Sequence, residues 1–205
     1  MCHRVTPVTM EELQLALDLY QTTGHARIPK DAIAPKDAYP GAKLPTIVRS
    51  PSGGLAAEEL IWGFSSSQPK RNRVFNTRLE TALSQLRMRE GMWADAITLG
   101  RCLVPVRAFY ESWTRTASPA QDPNPKTQVR FTLEGFNVFL IAAVCQGGEV
   151  SLITTVPNKT VGRIHSRMPL VLGPGESSVW LSANFPKLAD RSAIRLTTQV
   201  IPQQQ

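Results

Sequence analysis

The 205 residues suffice for one well-packed core and are read as a single domain over 1–205, with a polar tail from about 202. At 42% hydrophobic the composition excludes a disordered chain, and no run approaches the ~20 consecutive apolar residues of a membrane span. The 23 Lys and Arg against 16 Asp and Glu leave a formal charge of +7, which suits a polyanionic partner such as nucleic acid.

In chain order, Thr9 followed by Glu12 has the spacing of a capping box, and the apolar face from Leu13 to Tyr20 predicts a helix from about Met10 to Thr22. Pro29, Pro35, Pro40, Gly41 and Pro45 predict an irregular surface excursion from Gly24 to Pro45. TIVRS and ELIWGF, on either side of SPSGG, read as a hairpin. The polar, basic SSSQPKRNR follows, then WADAITLG as a short helix ended by Gly100 and RCLVPVRAFYESW as strand broken by Pro105. A Pro-, Ser- and Asp-rich loop runs to about Lys126. VRFTLEGFNVFLIAAVCQGGEVSLITTV then reads as three strands of an antiparallel meander, turning at Glu134-Gly135 and at Gln146 to Glu149. A strand PLVL, a helix around Ser177 to Ser182 and a last strand IRLTTQV complete an α+β pattern, with antiparallel strands in a barrel-like or sandwich core and a few peripheral helices.

The amino terminus has neither the basic nor the apolar region of a signal peptide, and three widely spaced cysteines argue against a disulfide framework, so a cytoplasmic, reducing location is expected. His3, His25 and His165 are scattered, there is no Cys-x-x-Cys pair, and no glycine-rich phosphate loop is present. Neither a metal nor a cofactor is expected.

Chemistry concentrates at a few positions. Cys2 follows Met1 directly; trimming of Met1 would leave a thiol and an α-amino group on adjacent carbons, a pair that condenses with aldehydes to a five-membered thiazolidine. An α-amino pKa near ~7.7 to 8.0 keeps much more free amine at neutral pH than a lysine does. Glu111 interrupts the aromatic FYESW run and either faces solvent or sits buried with a raised pKa. His165, in RIHSRMP, has polar neighbours and is either an exposed loop histidine or a proton shuttle. Cys102 and Cys145 lie in apolar runs and read as small buried hydrophobes.

MCHR, WGF, NTRLE, RCLVPVRAFYE and IHSRMP occur in the order and near the spacing of the SOS response-associated peptidase (SRAP) family of abasic-site processing proteins, whose pattern runs MCGR, WGL, NARxE, RCLxPxxGFYEW and IHDRMP. The chain resembles that family from Cys2 to about Leu172. The resemblance implies recognition of abasic sites in single-stranded DNA and a covalent link through the terminal cysteine, with Cys2 as nucleophile, Asn76 orienting it, and Glu111 and His165 assisting proton transfers. Arg78 and Arg167 would hold phosphates with help from Arg4, while Trp62 and Phe64 are candidates for stacking surfaces, with a place in the core as the alternative for either.

Four departures stand out: His3 for the family's glycine, Ser166 for its aspartate, an inserted Ser112 before Trp113, and SSSQPK where another tryptophan is usual. A monomer is expected. The alternatives are a thiol peptidase acting through Cys2 and a non-covalent single-strand-binding module.

Overall fold

The computed structural model describes residues 2–23, 36–65, 73–113 and 127–201. The basic stretch 66–72, most of the excursion after the first helix and the loop 114–126 lie outside the described residues.

Strand β1 (Arg4–Pro7) leads into helix α1 (Met10–Thr23), and the predicted capping box starts that helix. Thr9 N–H donates to the Glu12 carboxylate at 2.8 Å, and Glu12 N–H donates back to the Thr9 hydroxyl at 3.1 Å, so two end donors are satisfied reciprocally. The predicted hairpin is β2 (Lys43–Arg49) with β3 (Leu55–Trp62), paired from Lys43↔Ile61 to Arg49↔Leu55. It starts earlier than expected: Pro45, assigned to the irregular excursion, lies inside β2.

Strand β4 (Asn76–Arg78) runs straight into α2 (Leu79–Met88), a helix not predicted above although Leu79, Ala82, Leu83 and Leu86 recur at helical spacing. Helix α3 (Ala94–Leu99) ends at Gly100 as expected, where a Cβ would lie 1.9 Å from the Cys145 carbonyl oxygen and only glycine fits.

The spine is β5 (Arg101–Ser112), buried on both faces along ten of its twelve residues. Pro105 does not break it. One edge of β5 pairs with β2 at Ile47↔Leu103 and with β1 from Val106 to Tyr110, and Pro105 falls between the two, beside the register shift at Thr6 and Pro7. Its carbonyl accepts from Val8 N–H at 3.3 Å, so the missing donor would have pointed into the gap.

Along the other edge, β6 (Gln128–Leu133) pairs with residues 109–112 and β7 (Phe139–Gln146) with 101–106. The expected three-strand meander is corrected here: β6 and β7 lie end to end along β5 instead of against each other, and β6 has β11 (Leu196–Ile201) as its second neighbour. Strand β7 does form a hairpin with β8 (Glu149–Thr155).

Helix α4 (Lys159–Gly162), strands β9 (Met168–Pro169) and β10 (Val171–Leu172), helix α5 (Glu176–Leu181) and an unpredicted 3₁₀ helix at Phe185–Ala189 complete the chain. The result, among the described residues, is a mixed α+β fold around one eleven-stranded sheet. The sheet curls until β5, β7, β8, β3 and β2 meet, but the joints are only one pair wide at β2–β5 and two at β3–β8, so it is sandwich-like and not a clean barrel.

Alternation along the central strands, reset on β5 by the irregularity between Val106 and Ala108, sorts two cores. Val104, Phe109, Ile141 and Leu152 fill the inside of the curl, and Leu103, Ala142 and Ile153 face the outer helices with Leu13, Leu79, Ile97 and Trp180. Among the described residues no helix is long and apolar enough to cross a membrane.

Helix α1 is tied to β5 by Glu12, whose second oxygen accepts from Arg107 Nη2 at 2.7 Å with both side chains 10% exposed. Removing one partner leaves a buried charge alone. Glu12→Ala is expected to cost about 3 kcal/mol of unfolding free energy in urea, against about 1 kcal/mol for Thr9→Ala; equal costs would contradict the buried pairing.

Candidate active site

Strand β1 is gripped from both sides. It pairs with β5 as Arg4↔Tyr110 and Val5↔Phe109, while Val5 and Ala38 exchange backbone hydrogen bonds at 3.1 and 2.8 Å. This delivers Cys2 to the end of β5, where it is fully buried with its Sγ 3.6 Å from the Arg4 carbonyl oxygen. Asn76, at the start of β4, is brought alongside by the parallel pairing of β4 with β8. Its Nδ2 donates to the Cys2 carbonyl at 2.8 Å, and its Oδ1 is buried with no hydrogen-bond partner among the described residues.

Glu111 lies two residues beyond Phe109 and therefore on the same inward face of β5. It is 1% exposed, and burial pushes its carboxyl up to about 7. Of the two readings left open by the sequence, the buried one holds.

His165 follows α4, whose start is capped by the Asn158 side chain accepting from Thr160 and Val161 N–H. Its own N–H donates to the Val161 carbonyl at 2.9 Å. The ring Nδ1 accepts from Arg167 N–H at 3.0 Å, which assigns the neutral ring's proton to Nε2, and Nδ1 lies 3.9 Å from a Glu111 oxygen. Ser166 supplies no carboxylate to orient the ring; the Arg167 backbone does so instead.

Burial lowers the His165 pKa, and the charges of Arg167 and of the half-buried His3 act in the same direction. Burial and the Glu111 carboxylate together keep the Cys2 thiol well above its usual range, in its protonated form. The four residues thus meet in a site whose groups are held near neutrality.

The cationic and aromatic residues divide differently. Arg78 is exposed at the end of β4. Arg167 pairs with Glu80 through two hydrogen bonds, and Arg4 pairs with Asp37 through Nε and Nη2 at 2.8 and 2.5 Å, its guanidinium lying 4.1 Å from the centre of the Tyr110 ring. Neither acid was suggested by the sequence: Asp37 stands outside every motif, and Glu80 is the last residue of NTRLE in plain view. Of the two readings for Trp62 and Phe64, the core holds for both. Trp62 is 0% and Phe64 6% exposed, and the Trp62 indole N–H donates to Phe75 O at 2.9 Å, so neither ring has a face open to a base.

A mixed α+β sheet that buries a cysteine at its first strand, beside an asparagine, a glutamate and a histidine from three other elements, defines the class. The chain belongs to the SOS response associated peptidase family, whose model matches residues 1–203. The match extends through β11, past the last motif.

The abasic site processing protein YoqW of Bacillus subtilis (strain 168) is 27% identical over 164 residues, covering 74% of this chain and 66% of YoqW, just under two thirds of that relative's length. The abasic site processing protein YobE of the same organism is 26% identical over 164 residues, covering 74% and 68%. Among solved structures, a phage-related protein from Bordetella bronchiseptica superposes with a TM-score of 0.69 at 19% identity, covering 98% of this chain and 95% of its own. A protein from Bacteroides thetaiotaomicron reaches 0.64 at 17% identity, covering 98% and 92%. At these identities the structures establish the shared fold.

A carboxyl held neutral by burial makes stability depend on pH. Below about 4.5 Glu111 is protonated in both folded and unfolded chains; between there and about 7 only the unfolded chain ionises, so folding stability falls as pH rises through that window. Wild type is expected to lose about 3 kcal/mol relative to Glu111→Gln from pH 4 to pH 8 in denaturant titrations. Parallel curves for the two proteins would contradict the assignment.

Proposed function

We propose that this protein captures abasic sites in single-stranded DNA as a covalent adduct through Cys2, once Met1 has been removed. The observation that carries the reading is the convergence of Asn76 and Glu111 on Cys2, with His165 beside Glu111, from separate parts of the chain. The family and the names of the Bacillus relatives support it.

The chemistry follows from the protonation states. The α-amine of residue 2 adds to the aldehyde of the ring-opened sugar, and the resulting carbinolamine loses water to an imine. A protonated Glu111 donates to the departing hydroxyl, and a carboxyl titrating near 7 is poised to give and retake that proton at neutral pH. The Cys2 Sγ–H then adds across the C=N bond: sulfur bonds to carbon, and the thiol proton passes to the ring nitrogen by way of Glu111 or the neutral His165. One water is released in all, and nothing is oxidised or reduced.

A thiol kept protonated until the imine forms beside it is protected from earlier reaction. Asn76 holds the Cys2 carbonyl, and therefore the residue-2 backbone, in place for both steps. Exposed Arg78, with Arg167 and Arg4, forms the cationic approach for the strand backbone.

In the peptidase reading Cys2 itself would cleave Met1, yielding the same aminothiol. Its family name favours that reading, and the raised thiol pKa weighs against it, because a thiolate is the nucleophile such cleavage needs. Adduct formation and self-trimming are compatible.

The test mixes the protein with a uracil-containing single strand pretreated with uracil glycosylase. Wild type is expected to give a gel-shifted species that survives denaturation and heating, and Cys2→Ala and Cys2→Ser only a species lost on heating, since either substitution leaves the imine without its sulfur trap. An equal yield from Cys2→Ala, or intact protein mass that still includes Met1 together with a full yield, would defeat the proposal.

A further inference from the structure

Arg167 has both terminal nitrogens engaged, while its buried Nε has no hydrogen-bond partner among the described residues. A guanidinium carries five N–H bonds in one plane. Its Nη1 and Nη2 donate side by side to the two Glu80 oxygens at 2.7 and 3.0 Å, and Nη2 also donates to Thr154 O at 2.9 Å. The remaining fork, Nε with Nη2, is closed, because Nε is buried and the second Nη2 hydrogen goes to Thr154. The edge now held by Glu80 is therefore the one a phosphate would need for two-pronged pairing, and one oxyanion at a time can use it.

The Glu80 side chain is 54% exposed while that of Arg167 is 13% exposed, so the carboxylate covers the guanidinium from the solvent side. Partial burial pushes the Glu80 carboxyl up, but the hydrogen bonds from Arg167 and the charges of Arg167 and Arg78 outweigh it and hold the group below its usual range. Arg78, two residues before Glu80 in the chain, thus acts on the same carboxylate as Arg167. Two arginines expected to bind the strand backbone share one internal anion.

We propose that Glu80 is an internal stand-in for a DNA phosphate: it occupies Arg167 in the free protein and is displaced by the strand backbone, weakening retention of undamaged strands. This rests on the DNA-binding reading above and adds to it a residue that opposes binding.

Ion release separates this role from a merely structural one. In the free protein Glu80 is the counterion of Arg167, so a phosphate that takes Arg167 leaves Glu80 to recruit a cation from solution, offsetting part of the release that drives binding. Without the carboxylate that offset disappears, and binding becomes both tighter and more sensitive to salt.

The experiment measures binding of wild type, Glu80→Gln, Arg167→Lys and the double variant to an intact fluorescent single strand at salt between about 50 and 200 mM. Glu80→Gln is expected to bind about tenfold tighter at the low end, with a log–log salt slope steeper by roughly 0.7, and the gain is expected to shrink severalfold in the Arg167→Lys background, where no fork exists to be freed. Unchanged or weaker binding by Glu80→Gln, an unchanged slope, or an undiminished gain without the arginine would each overturn the assignment. Adduct yield on an abasic strand is read in parallel: adduct from wild type with no gain from Glu80→Gln defeats this inference alone, and no adduct from wild type defeats the functional reading beneath it.

Discussion

A four-residue antiparallel ladder, β1 against β5, governs the rest of the site. It is short, but it is braced: Asp37 accepts from the Thr6 hydroxyl and from two nitrogens of Arg4, Tyr110 lies within 3.0 Å of the Thr6 hydroxyl, and the Arg4 guanidinium covers the Tyr110 ring. Chain termini usually fray unless tied into a sheet. Here the tie is ladder, ion pair and cation–π contact at once, and its effect is to bury Cys2 at the end of the strand that carries Glu111. Loosening that ladder would move residue 2 relative to the carboxyl, while the sheet behind it could stand.

Burial does the chemical tuning. It raises the Glu111 carboxyl and the Cys2 thiol and lowers the His165 imidazole, each time against the charged form. The site therefore holds a protonated thiol, a carboxyl that titrates near 7 and a neutral imidazole next to a backbone position fixed by Asn76. The cations stand further out, where Arg4 and Arg167 are matched by acids and Arg78 remains exposed. An inner centre of low charge is thus set apart from an outer charged approach.

What could be read in the sequence was what depends on neighbours in the chain. The Thr9–Glu12 capping box, the β2–β3 hairpin and the Gly100 stop are local, and each formed, the hairpin with both strands beginning a few residues early. The β6–β7 pairing failed because a glycine turn between two apolar runs resembles a hairpin whatever lies beside it, and a twelve-residue β5 took both strands as partners. Pro105 looked like a break because the missing donor is visible in sequence and the gap opposite it is not.

The same division runs through the site. The family motifs carried Cys2, Asn76, Glu111 and His165, but the partners that lock Arg4 and Arg167, Asp37 and Glu80, come from tertiary proximity alone. Trp62 reads as surface or core with equal ease until the curl of the sheet closes over it.

The central claim is that the nitrogen and the sulfur of one residue are both consumed by the lesion sugar, and peptide mapping of the nuclease-trimmed adduct tests it most directly. The account predicts a sugar remnant on residue 2 alone, with that residue's thiol refractory to alkylating reagent after denaturation. A remnant on a lysine, or one on residue 2 whose thiol still alkylates, would contradict it.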